Sequence, residues 1–167
     1  MQTITLQPIG VIHTPFDTLE GMPIQPAGAA EVKGRVEVEE TYAEGLADVD
    51  GFSHLILIYL FHHSRGYHLT VTPFLDDRPR GLFATRAPRR PNPIGLSVVA
   101  LESRQGNVLH VRGIDVLNGT PLLDIKPFVP AFDAPTASAV GWLTGKAGHS
   151  ERVKADSRFR EDTTQVK

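Results

Sequence analysis

One stretch of the sequence combines arginine and proline in a pattern that suits anion recognition. Residues 83–95 read FATRAPRRPNPIG. Proline fixes the backbone φ angle, so side chains between the prolines are presented at defined positions. Guanidinium groups held in this way favour bidentate recognition of phosphate or carboxylate. The arginines in and just before this loop are Arg78, Arg80, Arg86, Arg89 and Arg90.

Asn92 adds a possible base contact to this loop, and a purely structural interpretation of the loop is also open. Asn92 stands between two prolines and offers both a donor and an acceptor, as reading an adenine edge requires. The alternative interpretation is a stiff surface turn, with its arginines solvated or paired with Asp76 and Asp77.

A second stretch, residues 115–128, places a carboxylate and an ammonium on one strand. It reads DVLNGTPLLDIKPF, and its Asn-Gly pair marks a tight turn. Asp124 and Lys126 are two residues apart on the strand predicted to follow, so they share one face. Together they could orient an amine substrate or bind a ligand's ribose and carboxylate. The alternative is a partly exposed ion pair that contributes little to stability.

Several histidines lie close together in the sequence, which raises the question of a metal site. His62 and His63 are adjacent, so on a strand they point to opposite faces and do not easily chelate one ion. The HExxH spacing is absent from the sequence. We therefore expect no metal, and we expect a strand-end histidine that either hydrogen-bonds a ligand or is structural.

The remaining motifs and the composition narrow the function classes. The sequence contains no GxGxxG, no GxxxxGK[ST] and no GxSxG, so Rossmann, P-loop and α/β-hydrolase chemistry are not indicated. Cysteine is absent, which excludes disulfides and thiolate ligands. Net charge is -2 over 167 residues, unlike a dedicated nucleic-acid binder, although the arginines could form one basic face. Without a signal sequence or a long apolar run, we expect a cytoplasmic protein with no membrane association.

The elements that must position these groups are predicted to be mainly strands. Continuous apolar residues over 54–61 predict a central strand covered on both faces. Short alternating segments punctuated by Gly and Pro predict an all-β fold, a single-sheeted barrel-like structure with one or two short helices. A capping box from Thr41 to Glu44 predicts a helix over 41–49. The other predicted strands are 5–14, 30–39, 69–74, 81–85, 94–102 and 122–126, with a hairpin joining 101–104 to 108–111.

One domain accounts for this pattern. We predict a barrel domain over 1–150, with a second short helix at 137–143, and a polar, mobile C-terminal tail over 151–167. The Pro- and Gly-rich loops at 21–28, 87–95 and 118–121 are where binding chemistry is expected on such a scaffold.

Five segments in this order resemble the TrmO-like (TsaA-like) family. They are IGVIHTPF (9–16), MPIQPAG (22–28), DGFSHLILIYLFHHS (50–64), FATRAPRRPNPIGLSVV (83–99) and DVLNGTPLLDIKPFVP (115–130). The resemblance implies a β-barrel that binds S-adenosylmethionine, commonly as a homodimer. It also implies methyl transfer to N6 of threonylcarbamoyl-adenosine, next to the anticodon of threonine tRNA.

The resemblance also implies roles for individual residues. Asp124 or Asn92 would accept a hydrogen bond from the adenine amine, and Lys126 would fix a carboxylate of the substrate or of the methyl donor. The tRNA backbone would lie over Arg78, Arg80, Arg86 and Arg89. The cofactor contacts would come from Pro26, Ala27, Gly28, His62, His63, Arg90, Asp124, Ile125, Lys126, Pro127 and Phe128.

The chain departs from the family pattern at some points, and two other functions remain open. Asn118 and Phe128 stand where the family more often has Asp and Tyr, and we expect the chain to lack the C-terminal domain of many bacterial members. One alternative is a β-barrel that binds S-adenosylmethionine or a nucleotide without turnover. The other is a methyltransferase acting on a small molecule or on another RNA.

Overall fold

The fold is described from a computed structural model that covers residues 2–23, 26–136, 139–146, 148 and 154–156. These residues form eight strands and one α-helix, with short 3-10 helices between them. The strands are β1 (Gly10–His13), β2 (Lys33–Val38), β3 (His54–Leu60), β4 (Thr70–Val71), β5 (Arg80–Gly81), β6 (Ile94–Gln105), β7 (Val108–Arg112) and β8 (Thr120–Pro127). The helix is α1 (Pro130–Asp133), and the 3-10 helices are Pro26–Ala29, Glu40–Leu46, Val49–Gly51, Leu82–Ala84 and Gly141–Leu143.

Six of the strands close into a barrel, which confirms the predicted all-β class. The order is β1-β2-β7-β6-β3-β8, and β8 pairs with β1 to close the ring. Every pairing in the barrel is antiparallel. The two short strands β4 and β5 form a separate sheet.

The core lies inside the barrel and follows from the two-residue period of the strands. Leu55, Leu57 and Tyr59 point inward from β3 and are buried. The outward residues of β3, such as Ile56 and Ile58, are only partly buried. The prediction of a central strand is confirmed, because β3 lies between β6 and β8, but the prediction that both its faces are covered is wrong for a single chain.

All three Pro- and Gly-rich loops emerge at the same end of the barrel. The register of the antiparallel pairs places the ends of β1, β3 and β7 beside the starts of β2, β6 and β8. The connections 14–32, 61–93 and 113–119 therefore meet at this end, which we name the three-loop end. The opposite end carries the connection 39–53 and the β6–β7 turn at Gly106.

The strand predictions hold best where alternation or apolar character is strong. The segments 54–61, 94–102 and 122–126 correspond to β3, β6 and β8, and the predicted hairpin is formed by β6 and β7. Within 5–14 only Gly10–His13 is a strand, and within 69–74 only Thr70–Val71. The predicted strand 81–85 is wrong, because Leu82–Ala84 is a 3-10 helix that buries Leu82 beside Val71.

The helix predictions are less accurate. Residues 41–49 form two 3-10 helices, and the capping box is wrong because the first begins after Glu39 with no side-chain cap. Within 137–143, the 3-10 helix Gly141–Leu143 is present, while residues 137 and 138 lie outside the described part. The helix α1 was not predicted; Val129 N–H there donates to the Asp133 carboxylate at 2.6 Å.

Most of the predicted tail, 151–167, lies outside the described residues. The part that is described, 154–156, contacts the chain near Gly21. Gly21 N–H donates to the Ala155 carbonyl at 3.1 Å, and Ala155 N–H donates to the Met22 carbonyl at 2.8 Å. These three residues are thus hydrogen-bonded to the 14–32 loop, and the tail over 151–167 stays a prediction.

Candidate functional site

Hydrogen bonds close the base of one loop of the three-loop end and join the other two loops to each other. Phe61 N–H donates to the Pro93 carbonyl at 2.7 Å, and Asn118 N–H donates to the Phe16 carbonyl at 2.7 Å. The Thr14 hydroxyl donates to the Val116 carbonyl at 2.8 Å. The end of the barrel is therefore a loop platform in which the 14–32 and 113–119 loops limit each other's positions and the 61–93 loop is closed at its base.

Arg90 stabilises from within the segment of residues 83–95, which we name the arginine loop. Its Nη1 donates to the carbonyl of Thr85 at 3.0 Å, with longer bonds to those of Ala87 and Leu82 at 3.4 and 3.5 Å. Its guanidinium also lies over the ring of Phe83, with Cζ 5.7 Å from the ring centroid. The structure therefore gives Arg90 a structural role, and its contact with the cofactor stays a prediction.

Asp76 joins the arginine loop to the C-terminal segment. Its side chain is 1% exposed and accepts bonds from Arg80 Nη2 at 2.6 Å and Lys146 Nζ at 2.7 Å. The hydrogen bonds from Lys146 and then Arg80 hold the pKa of Asp76 well below its usual range. For Arg80 the paired interpretation is therefore correct, while the contact of Arg80 with tRNA stays a prediction.

Trp142 strengthens the same junction. Its Nε1 donates to the Ala84 carbonyl at 2.7 Å, and its ring lies 5.6 Å from the guanidinium carbon of Arg80. The other predicted tRNA contacts differ in setting: Arg78 is exposed, whereas Arg89 Nε donates to the Arg65 carbonyl at 3.1 Å. The arginine loop is thus fastened on two sides.

A chain of buried polar groups runs from the barrel wall to the three-loop end. The hydroxyls of Tyr59 and Ser97 lie 2.9 Å apart, and Ser97 donates to Asp115 Oδ1 at 2.6 Å. Burial raises the pKa of the Asp115 carboxyl to about 6, against the opposing effects of the Ser97 hydrogen bond, a backbone hydrogen bond and the charge of Arg86. Arg86 therefore lies close enough to interact electrostatically with the inner end of the loop platform.

The two adjacent histidines lie side by side. Strand β3 ends at Leu60 and a turn follows, in which Ser64 N–H donates to the Phe61 carbonyl at 2.9 Å. The ring centroids of His62 and His63 are 4.1 Å apart, so the prediction that they point to opposite faces is wrong. The alternation of a strand does not extend into the turn.

His62 faces the start of β8. Its Nδ1 lies 3.5 Å from the Thr120 hydroxyl. Burial, and secondarily the neighbouring His63 and Arg65, lower the pKa of His62 below its ordinary value, although a backbone hydrogen bond opposes this. The imidazole is therefore neutral at pH 7 and can both donate and accept a hydrogen bond.

Asp124 and Lys126 share a face, as predicted. Lys126 Nζ lies 2.7 Å from Asp124 Oδ2, and the two side chains are 58% and 44% exposed respectively. They pair in register with Ile56 and Ile58, so they face the outside of the barrel. Phe128 lies farther along, with its ring 6.3 Å from that of His54.

A cleft of about 530 Å³ opens on the side of the barrel beside Asp124. Its volume is within the range of small-molecule sites. The cleft lies toward the end opposite the three-loop end, because it includes the 3-10 helix after β2. Its lining comprises Ile9, Val38, Thr41, Tyr42, Glu44, Gly45, Leu46, Asp124 and Ile125.

Comparison with known proteins assigns the family. Residues 11–134 match the family described as tRNA-methyltransferase O N-terminal domain. The chain belongs to the TrmO family. A crystal structure of TrmO from Pseudomonas aeruginosa superposes with a TM-score of 0.71 at 38% sequence identity, covering 84% of this chain and 63% of that chain.

Curated relatives of this TrmO-family chain come from distant organisms. A probable S-adenosyl-L-methionine-binding protein of Pyrococcus abyssi is 49% identical over 156 residues, covering 93% of this chain and 85% of the relative. A tRNA (adenine(37)-N6)-methyltransferase of Homo sapiens is 33% identical over 138 residues, covering 77% of this chain and 31% of the relative. The chain thus spans less than two thirds of the solved TrmO chain and of the human enzyme.

The residues predicted for the TrmO-family site fall into two groups. Gly28, His62, His63, Arg90 and Asn92 lie at the three-loop end, with Gly28 in the 3-10 turn and Asn92 exposed before β6. Residues 124–128 lie along β8 and beyond it, and Asp124 and Ile125 line the cleft. Pro26 and Ala27 belong to the turn Pro26–Ala29, and their side chains lie outside the described part.

Sequence reasoning missed the residues that organise the TrmO-family loops. Ser97 is an inward polar residue within an apolar strand, and Asp115 opens the motif around the Asn-Gly turn, so each gave a local signal. Nothing in the sequence indicated that they meet. Asp76 and Lys146 are 70 residues apart and carried no signal of their pairing.

Membrane-spanning helices and metal-ligand clusters are both absent from the described residues. No helix among them is long and apolar enough to cross a membrane. Within the same part of the TrmO-family chain, no group of three or more His, Cys, Asp or Glu side chains is arranged to hold a metal ion.

Proposed function

We propose that this chain is an S-adenosylmethionine-dependent tRNA methyltransferase that methylates N6 of threonylcarbamoyl-adenosine next to the anticodon. The observation that carries the proposal is the convergence of the family motifs at the three-loop end. The loop with FATR and RPNPIG, the loop with NGTP and the strand end at His62 all meet there. Because tRNA is the substrate, we place the protein in the cytoplasm.

The residues present fit a cationic donor and an anionic substrate. S-adenosylmethionine supplies a methyl group already activated on a sulfonium. A sulfonium is stabilised by nearby carboxylates, and the chain offers Asp115 at the inner edge of the three-loop end and Asp124 on β8. Arginine and Lys126 suit the carboxylate of the donor's amino-acid part or of the threonylcarbamoyl group.

The work of the protein is to orient the reacting groups. In the reaction the S–CH₃ bond breaks, the N6–CH₃ bond forms, and the proton on N6 passes to an acceptor. An adenine amine is a weak nucleophile, so an acceptor that hydrogen-bonds its N–H aligns the amine for in-line attack. We assign this role to Asp124 or Asn92, and we assign the fixing of a carboxylate to Lys126.

We propose contacts for the two ligands on the same basis. The cofactor is held by 26–28, His62, His63 and Arg90 together with 124–128. The tRNA backbone lies over Arg78, Arg80, Arg86 and Arg89. Arg78 is exposed, which supports a phosphate contact, whereas the bonds of Arg80 and Arg89 to the protein support a role in shaping the loop.

We further propose that the protein acts as a homodimer. The outward face of β3 and β6 is apolar and uncovered in one chain, with Ile94 39% and Leu96 51% exposed. A second copy on this face would remove the apolar surface from water. Light scattering tests this: Leu96→Asp should give a monomer, while Val140→Asp, at a residue also 51% exposed, should not.

The test of the activity is transfer of labelled methyl from S-adenosylmethionine to tRNA. One tRNA carries threonylcarbamoyl-adenosine and the control tRNA is unmodified. Label in the modified tRNA alone supports the proposal. Tight cofactor binding by calorimetry without any labelled product would favour the binding protein, and label in a small molecule or in another RNA would replace the substrate.

A further inference from the structure

One aromatic side chain at the three-loop end is exposed although its backbone is firmly held. The Phe83 side chain is 74% exposed, in the middle of the 3-10 helix Leu82–Ala84. The residue before it, Leu82, is 1% exposed and belongs to a small core with Val71 and Ala87. Single exposed apolar side chains are common on protein surfaces, so a function for this ring must be inferred from what holds and surrounds it.

Hydrogen bonds fix the backbone on both sides of this ring. The Leu82 carbonyl accepts bonds from the Thr85 hydroxyl at 2.7 Å and from Arg90 Nη1. The Ala84 carbonyl accepts the Trp142 Nε1 bond at 2.7 Å. Phe83 is therefore presented at a defined place, and binding a ligand there orders little further backbone.

The charge around the ring is positive. The Arg90 guanidinium lies 5.7 Å from the ring centroid and covers one side of it. Arg86 and Arg89 follow in the same loop. An aromatic face next to several arginines is the combination that holds an unpaired nucleobase by stacking while the arginines attract its phosphates.

We propose that Phe83 is a stacking platform for an unpaired base of the tRNA anticodon loop. This inference rests on the proposed function and adds a base contact that the motif resemblance did not assign. The base comes from RNA and not from the cofactor, because small-molecule sites enclose most of their ligand. A side chain that is 74% exposed does not enclose a small ligand. An RNA, in contrast, brings its own flanking phosphates to the arginines.

The test measures binding of an anticodon stem-loop RNA that carries threonylcarbamoyl-adenosine. Fluorescence anisotropy gives the Kd of the wild type and of Phe83→Ala, Phe83→Leu and Phe83→Trp. Phe132→Ala is the matched control, because Phe132 is 72% exposed on α1. Calorimetry with S-adenosylmethionine and light scattering are run on the same variants.

Because Phe83→Ala removes the ring on which one base stacks, we expect it to weaken RNA binding by roughly 5- to 150-fold. Phe83→Leu should weaken it as well, Phe83→Trp should restore it, and Phe132→Ala should leave it unchanged. Cofactor binding and oligomeric state should be the same in all variants. We also test a series of stem-loop RNAs that each lack one loop base. The RNA that lacks the stacked base should bind the wild type as weakly as it binds Phe83→Ala.

Four results would overturn the inference. They are unchanged RNA binding by Phe83→Ala, absence of RNA binding by the wild type, loss of cofactor binding in Phe83→Ala, and a change of its oligomeric state. The last two would assign the ring to the cofactor adenine or to a second copy. Methyl transfer by the wild type is measured on the same RNA. If RNA binding depends on Phe83 but no methyl is transferred, only the proposed methyltransferase activity is rejected. If methyl is transferred but RNA binding does not depend on Phe83, only the stacking role of Phe83 is rejected.

Discussion

The hydroxyl of Ser97 donates a 2.6 Å hydrogen bond to Oδ1 of Asp115 at the inner edge of the three-loop end. Ser97 points inward from β6, and Asp115 lies in the loop between β7 and β8. The bond therefore ties the loop that carries the Asn-Gly turn to the barrel wall. A carboxylate in this position couples the protonation of the site to the stability of the fold.

We expect Asp115→Asn to remove a pH-dependent loss of stability. Burial raises the pKa of Asp115 to about 6 from the ordinary 3.8. The folded state thus binds the proton more tightly, so its stabilisation is complete below pH 3.8 and is lost as pH rises through 6. The loss amounts to at most ~3 kcal/mol in the free energy of unfolding.

Urea unfolding of wild type and Asp115→Asn between pH 4 and 7.5 measures this difference. The difference between the free energies of unfolding of the two proteins should change across the pH window in which Asp115 titrates. Asp77→Asn, at an exposed position, serves as the control. A gap that stays constant with pH would show that Asp115 does not titrate as proposed.

We expect Arg78→Gln to reduce the salt dependence of tRNA binding. Arg78 is exposed in the loop before β5, where a phosphate can reach it. One lost phosphate contact lowers the slope of log K against log salt by about 1. Arg35→Gln is the matched control, because Arg35 is exposed on β2, away from the loop. Equal slopes for both variants would remove Arg78 from the interface.

We expect Asp124→Asn and Lys126→Met to impair methyl transfer with little effect on folding. The ion pair is about half exposed, so its contribution to stability is below about 1 kcal/mol. Loss of an acceptor in the transition state lowers kcat by about 100-fold or more. Loss of a charged hydrogen bond to a carboxylate weakens ligand binding about tenfold or more.

The control for this pair is Lys33→Met. Lys33 is 75% exposed on β2, and its Nζ lies 3.5 Å from Glu102 Oε2. The two residues form a surface ion pair similar to that of Lys126 and Asp124. Methyl transfer, calorimetry with S-adenosylmethionine and thermal unfolding are measured for all three variants. Normal methyl transfer by Asp124→Asn and Lys126→Met would show that the two residues form only a surface ion pair. It would exclude Asp124 as the acceptor for the adenine amine and Lys126 as the partner of a carboxylate.

The fold was predictable from local patterns where those patterns are long. The apolar run of β3 and the alternation of β6 through β8 gave the strands, because inward residues such as Leu55 and Val99 must repeat every two positions. The residues 41–49 were too few to distinguish an α-helix from 3-10 turns. The turn at His62 escaped prediction because the alternation rule applies only within a strand.

The site was predictable only in part. The shared face of Asp124 and Lys126 follows from their spacing of two residues. The meeting of Ser97 with Asp115, and of Asp76 with Lys146, depends on the barrel closing and on a return of the chain from the C-terminal side. Such contacts are set by tertiary structure, and no local pattern records them.

The last prediction concerns the junction at Asp76. Its pKa is held well below the usual range by the bonds from Lys146 and Arg80. The stabilisation is therefore present above the ordinary carboxyl value of 3.8 and is lost as pH falls below it. Asp76→Asn should release Lys146 and Arg80 already at neutral pH.

Trp142 reports on this junction, because it is the one tryptophan of the sequence. Its emission should shift to longer wavelength in Asp76→Asn at pH 7, and in the folded wild type only at a pH well below the ordinary carboxyl range, because the pKa of Asp76 is lowered. Asp77→Asn should behave as wild type, and unchanged emission in Asp76→Asn would contradict the role of the carboxylate. Because Trp142 Nε1 holds the Ala84 carbonyl next to Phe83, the same variant should weaken RNA binding while leaving the Kd for S-adenosylmethionine unchanged.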